Sequence, residues 1–148
     1  MNFLLDTNVI SETTKRQPSP AVLAWVEAQP IDTLYTASLA IAELRSGIDR
    51  LVDPARKSDL ARWLEQKVRP FFGTRIVEPD EAVWMAMLGI LERAKANRRT
   101  LPVSDLIFAA TAERHGMVVV TRNVKDFDGS GIRILNPWQT APIIRQCQ

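Results

Sequence analysis

The sequence has little of what builds a zinc site or an imidazole-based catalytic centre: one cysteine, Cys147, and one histidine, His115, among 148 residues. A single cysteine excludes an intramolecular disulfide and suits a reducing compartment, so a cytoplasmic location is expected. One His and one Cys cannot furnish the usual nitrogen and sulfur ligands of zinc. Long hydrophobic runs are also missing. Uncharged stretches such as 33–42 and 82–91 are about half of the roughly 20 residues needed to cross a bilayer, which predicts a soluble chain with no membrane partner. The start, Met1-Asn2-Phe3-Leu4-Leu5-Asp6, has no basic stretch and meets an acid after three apolar residues, unlike a secretory signal.

An excess of one charge is absent too. Nineteen Lys and Arg against 17 Asp and Glu leave +2, too little for bulk charge to announce a nucleic-acid binder. Three local clusters stand out: Arg56, Lys57 and Arg62; Lys67, Arg69 and Arg75; and Arg93, Lys95, Arg98 and Arg99. Each reads first as the solvated face of an amphipathic helix. There is no internal repeat, low-complexity segment or dividing linker, and Gly129-Ser130-Gly131 lacks the spacing of a phosphate-binding loop and reads as a turn.

What is present is an ordinary globular composition, 46% hydrophobic and 24% charged, at a length that builds one core, so a single domain over 1–148 is expected. Short apolar runs alternate with amphipathic segments. Phe3-Leu4-Leu5 predicts a buried strand ending at Asp6, followed by a turn into a helix, and prolines 18, 20 and 30 bracket a further helix. Residues 33–37 predict a second strand, with Ser38 capping the helix that carries Ile41, Leu44, Ile48 and Leu51. A helix over 55–72 ends at Gly73, and residues 75–77 form a third strand. Pro79-Asp80 opens another helix, and Pro102-Val103-Ser104-Asp105 opens the one ending at His115-Gly116, with Ser104 read as its cap. Residues 117–120 and 132–135 complete five strands. The alternation predicts an α/β fold, a parallel sheet with helices on both faces.

In such sheets, ligands bind beyond the carboxyl ends of the strands. Asp6 directly follows the first strand, Thr121 and Asn123 follow the fourth, and Asp126 comes shortly after. Glu43 lies in the first half of its helix and Asp105 in the first turn of its own, so all four acids are expected at one edge. Gathered carboxylates repel unless a cation neutralises them, and hard divalent cations take oxygen ligands. Mg²⁺ or Mn²⁺ held there would suit in-line hydrolysis of a phosphodiester. Singly, each acid has a plainer role: Asp6 as the start of an Asx turn, Asp105 as a favourable charge at a helix N-terminus, Glu43 as a neighbour of an apolar stripe. Asn8 reads equally as a helix cap, His115 as a C-terminal helix residue, and the four tryptophans as core or interface. Independent caps, however, have no reason to share an edge.

The segments Leu4-Leu5-Asp6-Thr7-Asn8-Val9-Ile10-Ser11-Glu12, Ala42-Glu43-Leu44-Arg45-Ser46-Gly47, Ser104-Asp105-Leu106-Ile107-Phe108-Ala109-Ala110-Thr111-Ala112 and Thr121-Arg122-Asn123-Val124-Lys125-Asp126-Phe127 occur in an informative order. Together they resemble the PIN-domain ribonucleases of VapC type over nearly the whole chain, and Asn136-Pro137-Trp138 is similar to the FitB-like branch. The resemblance implies a PIN-domain sandwich of helices around a parallel sheet of about five strands, with Asp6, Glu43 and Asp105 matching the metal-binding acids. Asn123 stands where some relatives carry Asp, so the fourth acid is either Asp126 or missing. Thr121 matches a polar residue that orders the site, and Asn8 and Ser104 are supporting positions. The implied activity is a Mg²⁺- or Mn²⁺-dependent endoribonuclease, the toxin of a type II toxin-antitoxin pair. The implied partners are an RNA substrate such as tRNA or rRNA, a second copy of the chain, and a VapB/FitA-like antitoxin that carries any contact with operator DNA. Two alternatives stand beside it: an inactive PIN-like module binding RNA or protein, and a haloacid-dehalogenase-like phosphatase. The latter resembles a pattern with a second Asp where this chain has Asn8.

Overall fold

The computed structural model describes residues 1–139, so Cys147 lies outside the described residues. Five short strands, β1 (Phe3–Leu5), β2 (Leu34–Ala37), β3 (Ile76–Val77), β4 (Val118–Val120) and β5 (Ile134–Leu135), form one parallel sheet in the order β3-β2-β1-β4-β5. The register sets Leu5 beside Thr36 and Val120, so the carboxyl ends of the central strands finish level. Every residue of β1 and β4 is buried, which requires cover on both faces of the sheet and explains why these strands read as unbroken apolar runs.

Among the described residues seven α-helices supply that cover: α1 (Thr7–Glu12), α2 (Pro20–Ala28), α3 (Ser38–Asp49), α4 (Pro54–Trp63), α5 (Arg69–Phe72), α6 (Glu81–Ala96) and α7 (Val103–His115). Leu4, Leu34, Leu64, Val83, Ile90, Phe108 and Val119 are fully enclosed, and Phe3 meets Trp25 edge to face at 5.0 Å between ring centroids. Helices α6 and α7 pack side by side. Gly116 ends α7 in the left-handed conformation, φ 65°, which lets the chain turn at once into β4.

Four local expectations need correction. The helix expected over 55–72 is not uniform: a π-helical turn over Leu64–Val68 separates α4 from α5. Pro70 has no N–H to donate and its ring crowds the carbonyl four residues back, a conflict that a wider turn ahead of it relieves. Ser38 is not a cap, because β2 runs straight into α3 and the capping position falls on buried Ala37. Ser104 is not a cap either; Pro102 holds that position, and Ser104 is the second residue of α7. The outer strands are shorter than expected, β5 keeping only Ile134 and Leu135. Among the described residues no helix is long and apolar enough to cross a membrane.

Candidate active site

All four acids arrive at the carboxyl edge of the sheet by different routes. Asp6 is the residue after β1 and the N-cap of α1, its backbone extended at φ −72°, ψ 159°. Glu43 is carried by the second turn of α3, which leaves β2 from that edge. Asp105 sits in the first turn of α7, which starts at the same edge before running back into β4. Asp126 lies in a short 3₁₀ turn, Val124–Phe127, beyond β4.

A hydrogen-bond network orders the centre. The Thr7 N–H donates to Asp6 Oδ1 at 2.7 Å, and the Thr121 hydroxyl donates to Asp6 Oδ2 at 2.8 Å. The same Thr121 oxygen accepts from Asn8 Nδ2 at 3.2 Å and from the Asn123 N–H at 3.1 Å. A hydroxyl has one proton and two lone pairs, so with both acceptor positions filled the Thr121 proton is committed to Asp6. Asn8 is no helix cap: its other amide atom, Oδ1, accepts from the Arg122 N–H at 3.4 Å, tying α1 to the end of β4. The Thr7 hydroxyl donates to Glu43 Oε1 at 3.3 Å, joining α1 to α3. Asn123 therefore contributes its backbone to the network, and Ser104 makes no bond to it.

Electrostatics link all four carboxylates. Burial pushes the Asp6 carboxyl above its ordinary pKa, outweighing the two hydrogen bonds that pull it down, and the charge of Asp126 adds to the rise. Burial and then Asp6 raise Glu43. Asp105 is raised to about 6, by burial first and then by Asp6, Asp126 and Glu43. The neighbouring charges disfavour ionisation of Asp6, Glu43 and Asp105, the condition that a cation relieves. The donor set is all oxygen, as hard divalent ions require, and it lacks the sulfur and nitrogen that select zinc or copper. The expectation of carboxylates close enough to share one ion is not met by the side chains as they stand. Among the described residues no three Asp, Glu, His or Cys side chains stand in a ready-made coordination sphere.

Sequence reasoning missed three features beside the acids. Thr7 was legible only as part of Asp6-Thr7-Asn8, with nothing to announce its bond to Glu43. Glu12 is buried at the end of α1, where it accepts from the Ser19 N–H at 2.9 Å and pairs with Lys15 Nζ at 2.7 Å. The Lys15 hydrogen bond leads the effects that hold Glu12 below the ordinary range. Arg122, exposed at the rim, lies over the Trp138 ring at 5.3 Å. The basic clusters are mostly tied to local partners rather than simply solvated. Arg93 pairs with Glu113 at 2.6 Å and donates to the Ser130 carbonyl, and half-buried Arg75 donates to the carbonyls of Ile31, Leu34 and Phe71.

A five-stranded parallel sheet with acids gathered at its carboxyl edge, helices enclosing both faces and Thr121 anchoring the first acid is a recognisable class. A PIN-domain profile matches residues 3–128, and the chain belongs to the PIN-domain family. Within it the chain sides with VapC- and FitB-type toxins. It is 38% identical over 139 residues to "VapC ribonuclease Y4jK" of Sinorhizobium fredii, covering 94% of this chain and 99% of that relative. "Toxin FitB" of Neisseria gonorrhoeae is 36% identical over 136 residues, 92% of this chain and 98% of the relative. The crystal structure of FitAcB from Neisseria gonorrhoeae superposes with a TM-score of 0.90 at 36% identity, covering 93% of this chain and 99% of that one.

Proposed function

We propose that this chain is a Mg²⁺- or Mn²⁺-dependent endoribonuclease and the toxin of a toxin-antitoxin pair. The observation that carries the reading is the charge coupling of Asp6, Glu43, Asp105 and Asp126, four acids from four distant segments, in a chain that is kin to a VapC ribonuclease. Asp6, Glu43 and Asp105 hold the cation. Asp126 serves as the fourth acid, since its charge bears on both Asp6 and Asp105, whereas Asn123 reaches the site only through its backbone. When bound, the cation supplies water of lowered pKa and neutralises charge on the departing oxygen. Thr121 fixes the orientation of Asp6, and Asn8 fixes Thr121. The phosphatase alternative finds no support, because Asn8 is bound at both amide atoms and offers no second acid.

Two partners complete the reading. Trp84, Leu88 and Leu91 recur along one side of α6 and remain 42%, 55% and 38% exposed, with Met85 beside them at 65%, an apolar face suited to a second copy of the chain. An apolar groove of about 220 Å³, lined by Leu5, Val9, Ile10, Val26, Phe71 and Phe72, suits an apolar segment of a FitA-like antitoxin, through which any operator DNA is reached.

The deciding experiment incubates purified protein with total RNA, with Mg²⁺ or Mn²⁺ and with chelator, beside an Asp6→Asn variant of matched fold. Fragmentation by the wild type alone, lost on chelation, is expected. Cleavage that persists in the variant rejects the metal reading, and no cleavage under any condition favours the inactive binding module.

A further inference from the structure

Four carboxylates at one edge repel a polyanion, and neutralising the acids does not by itself grip the strand on either side of the scissile phosphate. A fixed cation at the rim meets that need. We propose that Arg122, seated on the Trp138 ring, binds an RNA phosphate next to the scissile one; the proposal rests on the ribonuclease reading.

Three observations single out Arg122. It directly follows Thr121, and its own N–H donates to Asn8 Oδ1, so its backbone belongs to the network that holds Asp6. The guanidinium carbon lies 5.3 Å from the centroid of the half-buried Trp138 ring, and stacking on an aromatic face restrains a side chain that would otherwise sample many rotamers. The residue is exposed, and among the described residues its guanidinium makes no hydrogen bond or ion pair, although its charge is felt through space by Glu12. Several other arginines are committed, Arg45 and Arg69 to Glu65, Arg93 to Glu113 and Ser130, Arg75 to backbone carbonyls, and among the described residues the unpaired ones, such as Arg98, Arg99 and Arg114, have no aromatic seat. Arg122 therefore offers five unengaged donors in the planar fork that matches two phosphate oxygens. Lys125, in the same loop, carries the same charge without an aromatic seat.

The test measures binding of a fluorescent single-stranded RNA by anisotropy, with Ca²⁺ supplied in place of Mg²⁺ to slow cleavage, and initial cleavage rates in Mg²⁺. Arg122→Ala is expected to weaken binding about tenfold and to lower the dependence of log Kd on log salt by about 0.7, the share of one phosphate contact on a single strand. Its KM rises while kcat stays within about twofold. Arg122→Lys keeps the salt slope and recovers only part of the affinity, and Trp138→Leu raises KM less than Arg122→Ala does. An equal loss in Lys125→Ala and Arg122→Ala reduces the effect to general charge and overturns the proposal. Unchanged binding in Arg122→Ala, with a wild type that binds and cuts RNA, overturns this proposal alone. A wild type that neither binds nor cuts RNA overturns the ribonuclease reading along with it.

Discussion

Replacing Asp105 by Asn should stabilise the metal-free protein above pH 6 and flatten its dependence on pH. In the folded chain the Asp105 carboxyl is raised to about 6, where its ordinary value is 3.8, by burial and by the charges of Asp6, Asp126 and Glu43. A carboxyl whose folded pKa lies above its unfolded value binds its proton more tightly when folded. Its favourable contribution is complete below the unfolded pKa and is lost as pH rises through about 6. At 1.36 kcal/mol per tenfold, the gap corresponds to at most ~3 kcal/mol, and water beside a partly open cluster reduces it to ~1–2 kcal/mol. About half of that, ~1 kcal/mol, falls between pH 5 and 7.5, equivalent to ~2–4 °C in Tm for a domain of this size. Thermal melts in chelator should show the wild type losing that much more than Asp105→Asn across the interval. Parallel curves for the two proteins would refute the claim that burial and acidic neighbours raise the Asp105 carboxyl. If the metal reading holds, Mg²⁺ restores the wild type at pH 7.5 and does less for the variant.

Other consequences follow from single contacts. Thr121→Val leaves Asp6 Oδ2, Asn8 Nδ2 and the Asn123 N–H without their shared partner and should cost ~2–3 kcal/mol in urea unfolding, while Thr121→Ser, keeping the hydroxyl, should cost ~1 kcal/mol. A Val variant as stable as the Ser variant contradicts the network. Phe108→Ala, at a side chain 1% exposed in α7, should lose ~3–5 kcal/mol by the same measurement, and a loss under 1 kcal/mol would place that ring outside the core. If the proposed dimer forms through α6, Leu88→Glu, at a position 55% exposed, should leave Tm nearly unchanged and shift sedimentation from dimer to monomer; a wild type that sediments as a monomer, or a dimer the variant leaves unshifted, rejects that interface.

Much of the fold was legible because its signals are local. Apolar runs too short for buried helices read as strands, Gly116 marked the end of α7, and alternation of strands with helices implied a parallel sheet, whose geometry sends residues such as Asp6 and Thr121 to one edge. Caps were misread where neighbouring structure overrode composition. Ser38 and Ser104 have the chemistry of N-caps, yet the strand before one and Pro102 before the other took the capping position.

The chain's own order of residues thus determined which acids exist, which strands precede them and which edge they reach, since periodicity and turn chemistry act over a few neighbours. Only the tertiary structure decided that Thr121 spends its single proton on Asp6, that Asn123 contributes backbone while Asp126 contributes charge, and that Arg122 rests on Trp138. Those outcomes depend on distances between segments over a hundred residues apart in some cases, such as Asp6 and Thr121. Packing of the whole core sets such distances, and no local pattern encodes them.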